Sequence, residues 1–183
     1  ATIDGAINNK EGALLHADKA LTLTSKNSDI TNTQSTIESA TSATLNSQNL
    51  TNTGTVLAQD GTLTLGTKDR LLKQVDNQGT LAGHGIHIET QQLNNSTSKA
   101  KVFSTGDLLL NAKGAVVNQG GALLHAAKTL TLTATGDLSN SASSIESAGR
   151  LALTSQNLSN STGSKVFAQA GALTIDTHTL DNQ

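Results

Sequence analysis

The chain predicts an all-β fold, a right-handed parallel β-helix, and three observations lead there. An aliphatic residue stands two positions before an Asn at nine places along the 183 residues. Between those places come short aliphatic-x-aliphatic triplets rich in Thr. The composition holds no Pro, Cys, Met, Trp or Tyr and only 2 Phe, so any core is built from Leu, Ile, Val and Ala.

The nine anchors are Ile7/Asn9, Ile30/Asn32, Leu50/Asn52, Val75/Asn77, Leu93/Asn95, Val116/Asn118, Leu138/Asn140, Leu158/Asn160 and Leu180/Asn182. Successive Asn residues lie 23, 20, 25, 18, 23, 22, 20 and 22 positions apart, a repeat of about 22. An aliphatic or aromatic residue six positions before each triplet marks another inward position: Leu15 before Leu21–Leu23, Leu57 before Leu63–Leu65, Leu124 before Leu130–Leu132, Ile145 before Leu151–Leu153, and Phe167 before Leu173–Ile175. Period-two alternation over runs this short, interrupted by Gly, Asn, Asp and Ser, reads as strand.

Three short strands in about 22 residues leave no room for helical crossovers, so the chain must coil, with each strand pairing in parallel with its equivalent one turn later. The expected object is a single rod over residues 1–183 with about nine coils, spaced about 4.8 Å apart. The recurrent Asn shares the inward face with the aliphatic residue two before it. A buried amide needs partners, and a stacked column supplies them, each amide bonding to the next and to the backbone of the turn. Asn9, Asn32, Asn52, Asn77, Asn95, Asn118, Asn140, Asn160 and Asn182 therefore form the expected structural column.

A longer repeat lies over the short one. "GALLHADKALTLT" from Gly12 returns as "GALLHAAKTLTLT" from Gly121, and residues 12–65 match 121–175 nearly coil for coil. This indicates duplication of a five-coil block. It also sets His16 beside Glu38, and His125 beside Glu146, one coil apart on an outward face. That register depends on Leu15 and Ile37 both pointing inward, and the run Val56–Gln59 admits a local reversal with Val56 and Ala58 inward instead.

Stretches such as "LTLTSKNSDITN" and "LTLTATGDLSNSASSIESAGRLALTSQNLSN", with Gly, an aliphatic residue, "LTL" and then aliphatic-x-Asn, resemble the repeats of filamentous haemagglutinin-like exoproteins over essentially the whole chain. The resemblance implies a secreted protein at the bacterial cell surface, exported through an outer-membrane two-partner-secretion transporter. The family includes adhesins and the stick-like effectors of contact-dependent growth inhibition. The family's N-terminal secretion domain carries Asn-Pro motifs, which a chain without Pro does not contain, and no toxin domain is visible, so an interior piece of a longer protein is expected.

Chemistry is sparse. The net charge of −2 gives no electrostatic case for nucleic acid or anionic membrane. The 14 carboxylates form no paired cluster recurring on adjacent coils, as a β-helical polysaccharide-cleaving enzyme needs, so no catalytic site is expected. His84 and His87 in "GHGIH" are two candidate ligands without a third, and no metal or cofactor is expected. An ice-binding Thr-x-Thr face is suggested by Thr22/Thr24, Thr62/Thr64 and Thr131/Thr133, then broken at His87/Glu89, Leu109 and Asp176. The coils of unusual length insert "GTKDRLLKQ" (Gly66 to Gln74) and "STSKAK" (Ser96 to Lys101), which hold Lys68, Arg70, Lys73, Lys99 and Lys101, five of the 12 basic residues. Insertions on repeat rods form loops, so these are the candidate binding loops. The expected function is the shaft of a surface filament that projects adhesive or toxin domains, the alternative being a segment that itself binds a glycan or cell-surface receptor.

Overall fold

The computed structural model describes residues 1–183 as a solenoid without helix, about 8 turns of about 22 residues each, a parallel β-helix. The nine anchor Asn residues bound eight turns rather than nine, because the first and last sit at opposite ends. The ladders that join successive coils are all parallel. An isolated antiparallel bridge, Thr67 to Arg70, closes an inserted corner.

Each coil has three faces. The first is built from strands such as Leu14–Ala17 and Thr36–Ser39, the second from Leu21–Ser25 and Ala43–Asn46, and the third from Ile30–Thr33 and Asn49–Asn52. The expectation of three separate strands per coil holds where corners are sharp. Where they are smooth the strands fuse: Thr55–Leu65 covers two faces and Thr80–Ser96 covers all three.

Inward side chains stack on their equivalents. Two aliphatic columns run down the second face, one through Leu63, Ile86, Leu108, Leu130 and Leu151 and the other through Leu65, Ile88, Leu110, Leu132 and Leu153. The third face stacks Ile30, Leu50, Val75, Leu93 and Val116. These residues belong to one continuous buried cluster. Aliphatic side chains of similar size, branched at Cβ or at Cγ, fill a column of constant pitch, which explains the narrow apolar alphabet.

The first face corrects two inward assignments. Leu15, Ile37, Val56, Leu81, Val102, Leu124, Ile145 and Val166 form its inward column. Leu57 and Phe167 therefore point outward, and Phe167 is 40% exposed. The corner between first and second faces takes one extra residue in those two coils, so the inward position stands seven before the triplet, not six. A single-residue slip reverses every side chain of a strand.

The corner after the third face turns through left-handed backbone at non-glycine residues, including Gln34 (φ 51°), Ala142 (φ 50°) and Thr97 (φ 102°). Such conformations are unfavourable for residues with a Cβ unless their surroundings hold them. At Gln34 and Ala142 the Asn amide bonds the carbonyl on the far side of the turn, Asn32 to Ser35 at 3.0 Å and Asn140 to Ser143 at 3.3 Å. In the last coil, with a neighbour on one side only, the inward Leu180 is 55% exposed, while Leu14, 59% exposed, points outward beside inward Leu15.

Candidate functional site

All nine anchor Asn side chains meet in one unbroken column. Each Nδ2 donates to the Oδ1 of the next, from Asn9 to Asn32 at 2.9 Å through to Asn160 to Asn182 at 2.7 Å, with every intervening link at 2.7 or 2.8 Å. The same nitrogen also bonds a carbonyl opening the first-face strand of the next coil, as Asn32 does to Thr55 (3.0 Å) and Asn118 to Ser144 (3.0 Å). From Asn9 to Asn140 each amide thus ties two coils together through side chain and backbone. All donors point the same way along the axis, so their dipoles align and strengthen one another.

The duplicated peptide places its two histidines equivalently. His16 pairs in register with Glu38, Nδ1 to Oε1 at 2.9 Å, and His125 with Glu146 at 3.0 Å. The copies differ in their second contact. His16 Nε2 also meets Asp18 at 2.9 Å, where the second copy has Ala127, while the His125 ring stacks on Phe103, with centroids 4.8 Å apart and planes 8° from parallel. The bonds to Asp18 and then Glu38 raise the His16 pKa above its ordinary 6.5, partly offset by desolvation.

The five basic residues of the inserted stretches are not brought together. Lys68 and Arg70 lie on the corner between second and third faces, and Lys73 just beyond it, with Nζ on Gln48 Oε1 at 3.1 Å. Lys99 lies on the opposite corner, in a shallow groove with Gln34, Thr53, Gln78 and Thr97, and Lys101 opens the next first-face strand. Two insertions after different faces emerge on different edges of the rod. His84 and His87 are likewise separate in their bonding, His84 with Thr105 (3.2 Å) and His87 with Glu89.

Glu89 is the feature that sequence reasoning passed over. It faces outward on the second face, between inward Ile88 and Thr90, yet its side chain is only 3% exposed. Its Oε1 accepts from His87 Nε2 at 2.8 Å and from Asn111 Nδ2 at 2.7 Å. The inserted corner, Gly66 to Leu71, covers it. Arg70 pins that corner by donating to the carbonyls of Ser25 and Lys26, both at 2.7 Å, and Gly66 enters it at φ 69°, where a Cβ would lie 2.4 Å from the Glu89 carbonyl. Desolvation pushes the Glu89 pKa up, but the bonds from Asn111 and His87 and the charges of His87 and Lys68 outweigh it, leaving the group below its ordinary 4.5. Lys68, Leu71, Glu89, Asn111, Lys113 and Thr133 line a cleft of about 370 Å³ beside it. The sequence signal was present: the longest coil spacing directly precedes a carboxylate in a column that continues through Asn111, Thr133 and Thr154 to Asp176 in the last coil.

Against this geometry, comparisons with known proteins add no relative: no family model, no curated protein and no solved structure matches the chain.

Proposed function

We propose that this chain is a shaft segment of a secreted bacterial surface filament, which projects adhesive or toxin domains toward other cells after export through an outer-membrane two-partner-secretion transporter. The observation that supports this reading most is the unbroken Asn column from Asn9 to Asn182, in parallel with the aliphatic columns. A rod whose every coil is tied to the next by a side-chain amide, a strand ladder and apolar packing distributes an axial load over many equivalent bonds. In such a quasi-one-dimensional array each repeat adds length without altering the fold. The sequence resemblance to haemagglutinin-like repeats supplies the bacterial surface and the export route.

The test is surface labelling. Antibody raised against this segment should stain intact cells that produce the full reading frame, and the staining should vanish when the paired transporter is deleted. Protein confined to the cell interior in the presence of the transporter would count against the shaft. The second reading, that the segment itself binds a glycan or receptor, is favoured by one observation, the cleft at Glu89.

A further inference from the structure

Within the second-face strands Glu89 is buried, whereas the other outward positions, Thr, Asn and His together with Leu109, Ala152 and Asp176, stand at least partly in solvent. Taking a carboxylate out of water is unfavourable, and Thr or Asn, as in the neighbouring coils, would complete the column without that cost. The carboxylate is also only half used. Both of its protein hydrogen bonds go to Oε1, and Oε2 accepts none from the protein. A carboxylate oxygen without a protein donor, on a residue that lines a cleft, is free to accept from a ligand that donates.

The cleft limits what that ligand is. Its volume of about 370 Å³ suits a small ligand. Its floor is Glu89, Asn111 and Thr133, register partners on three successive coils, so hydrogen-bonding groups repeat along the rod axis about every 4.8 Å. An extended β-1,4-linked hexose chain advances by a similar step per residue and offers hydroxyl donors at each. Leu71 gives the wall an apolar surface for the C–H face of a ring, and Lys68 and Lys113 at the rim donate to ring, hydroxyl or carboxylate oxygens. The ammonium of Lys68 beside Glu89 disfavours a metal cation at the same spot.

We propose that this cleft binds a short stretch of β-1,4-linked hexose polymer lying along the rod, its hydroxyls donating to Glu89 and its oxygens accepting from Asn111 and the rim lysines. The site lies on the side of the solenoid and does not depend on the shaft reading, whose test is surface exposure.

Titration calorimetry of the 183-residue protein with cellohexaose and with hexamannuronate, a neutral and a uronate chain of the same linkage, tests it. At least one chain should bind. Binding of the uronate alone assigns the decisive contacts to Lys68 and Lys113, and Lys68→Ala should then weaken it. Glu89→Gln should weaken binding on the order of tenfold, the loss of one charged hydrogen bond. Thr133→Arg, which fills the cleft from a partly exposed position, should abolish binding, while Thr22→Arg on the same face outside the cleft should leave it unchanged. Should Glu89→Gln fail to fold by circular dichroism, Thr133→Arg decides alone. Absence of heat with both chains, or wild-type affinity in Thr133→Arg, overturns the proposal.

Discussion

Replacing Asn52 by Ala removes the two column links that meet at it, to Asn32 and to Asn77. Asn52 is fully buried; its Oδ1 accepts from Asn32 Nδ2 at 2.8 Å, and its Nδ2 donates to Asn77 Oδ1 at 2.8 Å and to the Thr80 carbonyl at 3.1 Å. Asn32 keeps partners after the change, since its nitrogen also bonds the carbonyls of Ser35 and Thr55. Asn77 Oδ1 keeps only a long bond of 3.3 Å from the Gly79 amide. Two amide links at roughly 1 kcal/mol each, plus one weakly satisfied buried acceptor, give an expected loss of about 2 to 3 kcal/mol. Asn52→Asp should lose more, because a carboxylate cannot donate and meets the Asn77 oxygen head-on without water. Asn182→Ala is the control: that residue is exposed and makes one link in the column, so its loss should stay near or below about 1 kcal/mol. Urea unfolding followed by circular dichroism reads all three. Equal midpoints for Asn52→Ala and Asn182→Ala would refute the claim that buried amide bonding, rather than side-chain size, holds the coils in register.

Three further outcomes follow from the same structure. Leu63→Ala, in a fully buried column, should lose about 2 to 5 kcal/mol by urea unfolding, and Thr64→Ala beside it should stay within about 0.5 kcal/mol. On the first face, Val56→Ala should destabilise clearly more than Leu57→Ala despite the smaller side chain; the reverse order would restore Leu57 to the core. The raised His16 pKa stabilises the fold while the imidazole is charged, a contribution present in full below about pH 6.5 and lost as pH rises through the folded value. The stability difference between wild type and His16→Ala should therefore shrink between mild acid and neutral pH, and a constant difference would show that the ion pairs contribute nothing.

Much of this molecule is written in its repeat. The spacing of aliphatic-x-Asn sets coil length, parallel stacking and the amide column, because in a solenoid each residue's neighbours are its own equivalents one period away. The His16/Glu38 and His125/Glu146 pairs were legible for the same reason. What the period does not specify is how many residues each corner absorbs. One extra residue between first and second faces turned Leu57 and Phe167 outward and brought Val56 and Val166 in. Nor does it specify where an insertion folds. The corner at Gly66 to Leu71 lies back over the coils, with Arg70 reaching the Ser25 and Lys26 carbonyls and Leu71 shielding Glu89, so a carboxylate that reads as exposed becomes buried. The two basic stretches, close in sequence, emerge on different edges of the rod. Sequence alone determined the stacked columns, since their contacts recur with the repeat; only the tertiary structure decided the corners and the cleft, since those contacts occur once and depend on a loop's path.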